Sequence, residues 1–442
     1  MTDLTASAAP EPDGVPRIAA LDVLRGVAIL GILFMNVNDM GQSFSDPDIR
    51  HLGWSAADQV AWWTRAILAD GTARALLEML FGAGMVILTE RLARTADDGL
   101  VLQRYYWRNA VLWVFGIVHM FVLLWPGDIL HTYAIAAMVA FWFRRLSPRA
   151  LIAIGLVGAT LQLGGAGYFG VYQPLQTRAE VAALSAKRHA GRALDKAETR
   201  TLTQAAAGAA KHARLKAEHD AAITAEDKAR SGSSGDWVKA QVAKSIERLD
   251  GSEIGAIWEA AGTMLIGAAL FKRGILQGAR SRRFYGRVTL AAYAIGLGLR
   301  SLGAYEATRF TGDPHVSWAT AEYARLAMTL GHIGLIHLLL GTPLGARLLR
   351  PFVAAGRTAL TLYVMQTIAF LWILFPPFGF ALYGTLTWMP MMLASIALDL
   401  ALLWLANIYI RHFDIAPIEW AWRSIVAWRR LTFAPISRLP VG

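Results

Sequence analysis

Ile18-Ala-Ala-Leu-Asp22-Val-Leu-Arg25-Gly26-Val-Ala-Ile-Leu-Gly-Ile-Leu-Phe-Met-Asn36-Val37 decides the fold class. The stretch is apolar apart from Asp22, Arg25 and Asn36. As a helix rising 1.5 Å per residue it is long enough to cross a hydrocarbon layer of about 30 Å. Nine comparable blocks follow, near Arg74–Leu92, Asn109–Trp125, Ile129–Phe143, Ala150–Val171, Ile254–Phe271, Val288–Tyr305, Ala321–Leu340, Thr358–Phe375 and Leu386–Ile410. Only helices or closed barrels satisfy the backbone in lipid, and blocks this long exclude strands. The expectation is an all-α polytopic membrane bundle of about ten transmembrane helices, with its chemistry in the few polar groups kept among apolar ones.

The formal charge of +11 does not point to nucleic acid, because the cations sit in alternate loops. They cluster at Arg91, Arg94, Arg104 and Arg108; at Arg144, Arg145 and Arg149; from Lys272 to Arg287; at Arg347, Arg350 and Arg357; and at Arg411, Arg423, Arg429 and Arg430. The loop after the first block carries Asp39, Asp46, Asp48, Asp58 and Asp70 instead. Lys/Arg excess marks cytoplasmic loops. The pattern predicts that both termini are cytoplasmic, the basicity also favouring anionic lipid. The absence of cysteine excludes disulfides, thiolate metal sites and a cysteine nucleophile. The tail at 1–17 has no Lys/Arg before Arg17, which favours an uncleaved anchor over a signal peptide.

Two sets of five blocks, over 18–172 and 253–411, flank a polar Ala/Lys/Arg/Glu-rich insert at 173–252; a basic tail occupies 412–442. Helix formers dominate the insert, and Ser231-Gly232-Ser233-Ser234-Gly235 breaks it. The loop alternation places it outside the cytoplasm, as a solvated helical hairpin or as a docking or gating element. No motif is shared by the two halves, which weighs against an inverted-repeat transporter. Trp54–Leu68 reads as an amphipathic segment at the membrane surface.

Ionisable groups inside membrane helices are costly and point to function or to pairing. Asp22 and Arg25 share a helix face, and Gly26 permits close helix approach. Gly116-Ile-Val-His119-Met-Phe-Val-Leu-Leu-Trp125-Pro-Gly127-Asp128-Ile-Leu-His131-Thr-Tyr133 carries the strongest signal. His119 lies deep in the third block, and a Pro-Gly turn presents Asp128 at the start of the fourth. Alone, Asp128 serves as a helix cap and His119 as a core histidine; in contact, the carboxylate would orient the imidazole as a general base. His332 and His337, five apart, point in different directions and suit no shared metal; a structural hydrogen bond is the first reading for each, and His332 is the candidate to line a substrate pocket. Arg74 and Glu78 are spaced to pair, Glu259 lies near a helix end, and deep-lying Asp399 calls for a partner such as Arg300. No phosphate-binding loop, serine-hydrolase elbow or zinc motif is present, and no metal is expected.

Several motifs in order resemble the YeiB-like family of bacterial membrane proteins: Leu21-Asp22-Val-Leu-Arg25-Gly26 with Asn36, Leu80-Phe81-Gly82-Ala83-Gly84, the Gly116…His119…Asp128 run, Gly262…Gly267 with Lys272 and Gly274, Gly356-Arg357…Thr361-Leu-Tyr363…Gln366, and Ala416-Pro417-Ile-Glu419-Trp420. Leu362 stands where the family often has asparagine, and Ala416 where it usually has glycine. The resemblance extends to transmembrane acyltransferases of the heparan-α-glucosaminide N-acetyltransferase type. It implies transfer from cytoplasmic acyl-CoA, its phosphates held by Arg25, Arg104, Arg108, Arg357 and Arg423, to a hydroxyl or amine of a small-molecule, glycan or lipid acceptor outside. His119 would be the base or the acyl carrier, Asp128 its orienting acid. Asn36, Tyr133, Thr361 and Gln366 would hold the acceptor or the oxyanion. The alternatives are a transporter or exporter of a small polar or amphipathic molecule, with Asp399, His332 or His119 carrying protons, and a scaffold working through the insert. Small-residue patches such as Gly164-Gly165-Ala166-Gly167 would allow helix contact within a chain or in a homo-oligomer.

Overall fold

The computed structural model describes residues 19–44, 46, 48–249, 251 and 253–433, and among these it contains helices and turns but no strand. The cytoplasmic tail expected at 1–17 and the end of the basic tail at 434–442 lie outside the described residues. Fourteen helical segments are used below. They are α1 (Ala19–Gly41), α2 (Ala56–Leu92), α3 (Asp98–Phe121), α4 (Leu130–Phe141), α5 (Pro148–His189), α6 (Lys196–Arg230), α7 (Ser234–Arg248), α8 (Glu253–Lys272), α9 (Arg282–Thr308), α10 (Ser317–Leu340), α11 (Pro343–Arg357), α12 (Ala359–Leu374), α13 (Trp388–Tyr409) and α14 (Pro417–Val426).

Every apolar block of the sequence falls in a helix, but length and apolarity together qualify only six as spans: α1, α2, α5, α8, α10 and α13. A seventh arises if α11 and α12, bent by 79° at Thr358, count as one broken span. Helices α3 and α9 have the length, at 24 and 27 residues, but their charged residues dilute the apolar run; α4 has only 12 residues. The molecule is a multi-pass helical membrane protein with six to seven such helices, fewer than the ten expected.

Two backbone-to-backbone crossings tie the bundle together. At Gly26 of α1 an added Cβ would sit 2.1 Å from the Phe352 carbonyl oxygen, and at Gly356 of α11 it would sit 1.9 Å from that of Asp22. Gly82 of α2 and Gly267 of α8 face Met264 and Met79 in the same way, at 1.8 and 2.1 Å. In lipid there is little hydrophobic gain between helices, so close backbone packing and interhelical bonds hold them. Helix α2 is interrupted by a π-turn at Arg65–Ala69 and by Gly71 at φ +70°. The segment before this break buries Trp62 with Ala304 and Trp388, and Asp58 accepts the Met389 N–H of α13 at 2.9 Å. One face of the segment thus packs on the bundle, while Gln59, Val60 and Thr64 on the other are exposed.

Two pairings differ from expectation. Arg300 reaches back to the Asp70 carbonyl and carboxylate at the α2 break. The partner of Asp399 is Gln366, whose Nε2 donates to it at 3.0 Å and to the Ile29 carbonyl at 3.2 Å.

The insert starts as a direct continuation of α5, which extends over 42 residues with a turn at Leu156 and a π-turn at Ala166–Tyr172. Much of α6 is exposed, but its last turn and α7 are docked. Ser233 starts α7 with a capping box to Asp236, which explains the Ser-Gly break. Arg230 is 1% exposed and donates to the carbonyls of Gln42 at 2.6 Å and Met40 at 2.7 Å, just where α1 ends. A cation there satisfies carbonyls that have no intrahelical donor. Its guanidinium lies over the rings of Tyr383 and Trp237. Helix α7 in turn caps the end of α3, with Gln241 donating to the Leu124 carbonyl at 2.8 Å and Ser245 to that of Met120 at 3.3 Å.

Candidate functional site

The end of α3, the Trp125-Pro-Gly127 turn and the start of α4 build the centre of the site. Asp128 caps the first turn of α4 by accepting the His131 N–H at 3.0 Å. Gly116 lets that turn close on α3, because a Cβ there would lie 2.4 Å from the His131 nitrogen and 2.7 Å from Asp128 Oδ2. With the gap closed, His119 Nδ1 lies 2.7 Å from Asp128 Oδ1 and His131 Nδ1 lies 2.9 Å from Oδ2. One carboxylate thus serves two imidazoles. Burial works against the ionised Asp128, but the hydrogen bonds and positive character of His119 and His131 outweigh it and hold the carboxyl below its ordinary range.

The array continues at both ends. His119 Nε2 is 2.9 Å from Thr367 Oγ1 of α12, and its ring packs against that of Tyr363 with centroids 4.7 Å apart. His131 Nε2 is 2.5 Å from Glu253 Oε1, at the start of α8. Thr367, His119, Asp128, His131 and Glu253 therefore form one hydrogen-bonded row. With the proton of His119 on Nδ1, facing Asp128, Nε2 accepts from the threonine hydroxyl, the tautomer a general base requires.

Two cavities approach this row from opposite ends of α3. A cavity of about 230 Å³ is lined by Arg25, Arg108, Arg357 and Arg423 and ends on Ile129, Tyr133 and Tyr363. Arg25 pairs with Asp22 at 2.9 Å, and Arg357 faces Asp414 at 3.8 Å. Among the described residues no carboxylate ion-pairs with Arg108 or Arg423, and the Arg108 guanidinium lies over the Trp422 ring at 4.9 Å. Glu419, also on the wall, is committed to capping α12, taking the Leu360 N–H at 2.6 Å and the Thr361 hydroxyl at 2.5 Å. The arginine cavity therefore carries a surplus of positive charge.

The second cavity, about 120 Å³, is lined by Asp128, Glu253, Glu78, Arg74, Thr132 and Arg248 of the insert, among others. Ile129 and Tyr133 line it too, so these two residues form the partition between the cavities. Behind the wall, Arg325 is 3% exposed; it binds Glu78 at 2.9 Å, Glu259 at 2.8 Å and Glu322 at 2.7 Å. Arg74 pairs with Glu259 and lies 3.8 Å from Glu78.

The structure brings together His119, Asp128 and Tyr133, and four of the five candidate arginines. Arg104 is exposed and lines neither cavity, and neither do Asn36 and His332. His332 bonds to the Tyr293 hydroxyl and the Leu68 carbonyl, at 3.0 Å each. Thr361 is held by Glu419 and Gln366 by Asp399, so both tie helices together. His131, Glu253, Thr367 and Arg325 were not singled out by sequence. His131 lay inside the quoted motif, three residues from Asp128; the others come from distant segments with no local signal.

The departures from the family motifs have local reasons. Ala416 caps α14 at φ −76°, an ordinary conformation that needs no glycine, and Leu362 is buried among apolar neighbours. Residues 270–429 match the family described as "Protein of unknown function (DUF418)", a stretch that includes Arg357, Tyr363, Thr367 and Arg423. The chain is 28% identical over 438 residues to the uncharacterized protein YxaH of Bacillus subtilis (strain 168), covering 96% of both chains. It is 26% identical over 428 residues to the uncharacterized protein YeiB of Escherichia coli (strain K12), covering 92% of this chain and 96% of that one. A shorter match, 26% over 141 residues, is to an uncharacterized 39.9 kDa protein in the amylase 3' region of Bacillus acidopullulyticus. With its motifs in family order and relatives aligned over nearly the whole length at 26–28% identity, the chain is similar to the YeiB-like proteins.

Proposed function

We propose that this protein is an integral membrane acyltransferase, carrying an acyl group from acyl-CoA to a hydroxyl or amine of a small-molecule, glycan or lipid acceptor. The observation that carries this reading is the pair of cavities meeting at Ile129 and Tyr133, one rich in arginine and the other in carboxylates, beside a carboxylate-oriented histidine. Arg108, Arg357 and Arg423 belong to the alternating basic clusters, which supports an arginine cavity facing the cytoplasm of a bacterial inner membrane, with both termini on that side. The insert and the second cavity then face outward.

Arg108 and Arg423 suit the phosphates of CoA, with Arg25 and Arg357 in support. The thioester would reach Tyr363 and Tyr133. Displacement of Thr367 from Nε2 gives the acceptor hydroxyl its place on His119. His119 takes the hydroxyl proton as the oxygen bonds to the thioester carbonyl carbon. The C–S bond breaks, and the proton passes from His119 to the departing sulfur, yielding ester and free CoA. Asp128 holds the imidazole in register and stabilises its charged form. The Tyr363 hydroxyl lies near enough to serve the oxyanion.

The test is release of free CoA from acetyl- and longer acyl-CoAs by the protein in nanodiscs, with a panel of hydroxyl and amine acceptors. Saturable binding with turnover lost in His119→Ala supports the reading; absence of binding at every chain length sinks it. A transporter reading uses the same partition as a gate and is favoured by one observation, the buried Asp399 whose second oxygen has no hydrogen-bond partner. Substrate flux into liposomes without acyl-CoA, abolished by Asp399→Asn, would select it.

A further inference from the structure

The hydrogen-bonded row does not stop at the pair that the proposed reaction needs. Asp128 is 5% exposed and His131 1%, so no bulk water screens the charge that they share. Asp128 gives one oxygen to His119 and the other to the His131 ring and N–H. When His131 is an imidazolium, much of that carboxylate's field is spent on it. When His131 is neutral, the field is left to His119, which then binds a proton more tightly. The state of His131 is set on its far side, where Nε2 meets Glu253 at 2.5 Å. Glu253 lines the carboxylate cavity, and its side chain is 14% exposed.

We propose that His131 and Glu253 are positioning residues that tune His119 from the carboxylate cavity, by deciding how Asp128 divides its charge between two imidazoles. A proton on Glu253, or a ligand's ammonium or guanidinium group paired with it, takes away the anion that keeps His131 charged. His131 releases its proton, and Asp128 turns to His119. Occupancy of the carboxylate cavity by a cationic group therefore raises the basicity of a histidine that the cavity does not touch.

The other groups facing the row leave this role to Glu253. Glu78 is held by Arg325 and Arg74 by Glu259, and neither contacts His131. Thr132, 3.3 Å from His131 Nε2, is a neutral hydroxyl. Thr367 and Tyr363, on the far side of His119, are neutral hydroxyls as well. Arg248 lines the same cavity, and its guanidinium lies over the Phe44 ring.

The significance for catalysis rests on His119 being the base proposed above, but the coupling is measurable without any reaction. Full-length protein with ¹⁵N-labelled histidine is titrated in nanodiscs, and the His119 ring resonances are identified by their loss in His119→Asn. The expected wild-type result is a two-step His119 curve with an inflection at the His131 midpoint. In Glu253→Gln the curve should become a single step, its midpoint about one pH unit higher, roughly tenfold in proton affinity. Glu253→Asp should restore two steps. A wild-type His119 curve with no inflection at the His131 midpoint overturns the proposal, and so does a Glu253→Gln midpoint equal to that of wild type. If coupling is present and no acyl-CoA is turned over, the proposal stands and the acyltransferase reading fails.

Discussion

The two cavities differ in how their charges are balanced. In the carboxylate cavity almost every charge is committed: Glu78, Glu259 and Glu322 surround Arg325, and Asp128 and Glu253 share two histidines. In the arginine cavity Arg108 and Arg423 have no carboxylate ion-pair partner among the described residues. A balanced wall positions groups for chemistry; a surplus of one sign attracts a ligand of the other. Two arginines without a carboxylate partner stand beside a closed row of hydrogen bonds, and the proposed reading assigns binding to the first and reaction to the second.

The comparison can be broken by substitution. His119→Ala should lower acyl transfer by about 10³-fold with little change in acyl-CoA affinity, because a positioned general base contributes about 10²–10⁴. Equal losses in kcat and affinity would erase the distinction. Replacing Arg108 and Arg423 together by glutamine should raise KM for acyl-CoA on the order of 10²-fold, with about tenfold from each lost charge-assisted contact, and leave kcat within about twofold. A large kcat loss would place the arginines in the reaction. Arg230→Ala should cost about 2 kcal/mol, the scale of hydrogen bonds to a charged group. A fall in Tm of the detergent-solubilised protein would report it, while an unchanged Tm would mean that the insert docks without this arginine. Arg104→Ala should change neither KM nor kcat, since Arg104 lines no cavity; a KM effect would extend the arginine cavity toward the start of α3.

Sequence exposed one half of this contrast better than the other. Four of the five candidate arginines line one cavity; Arg108, Arg357 and Arg423 belong to basic clusters that alternate along the chain, and Arg25 stands out as a cation within the first apolar block. His119 and Asp128 are nine positions apart around a Pro-Gly turn, and their meeting is a short-range matter of turn geometry. Thr367 and Glu253 reach the same row from 248 and 122 residues away. Nothing in their own neighbourhoods marks them, because a threonine in an apolar helix or a glutamate at a helix start is an ordinary residue until the bundle closes. Arg325 illustrates the same limit. Its acids lie on three helices, α2, α8 and α10, and only the i,i+3 spacing to Glu322 is local. The number of helices that qualify as spans differs from the number of apolar blocks for another reason. Apolar blocks mark helices, but α3 and α9 trade apolarity for the charged residues that they carry into the bundle.

Helix α5 extends over 42 residues, with a turn at Leu156 and a π-turn at Ala166–Tyr172, about 60 Å at 1.5 Å per residue. A rod of that length converts angle into distance: one degree of tilt at its foot moves the far tip by about 1 Å. Its foot lies where Lys272 binds the Arg144 and Leu146 carbonyls, at 2.6 and 3.0 Å, and its tip leads into the exposed arm of the insert. A partner pulling on that arm would therefore have mechanical advantage over the basic loop at its foot, in the manner of a tiller.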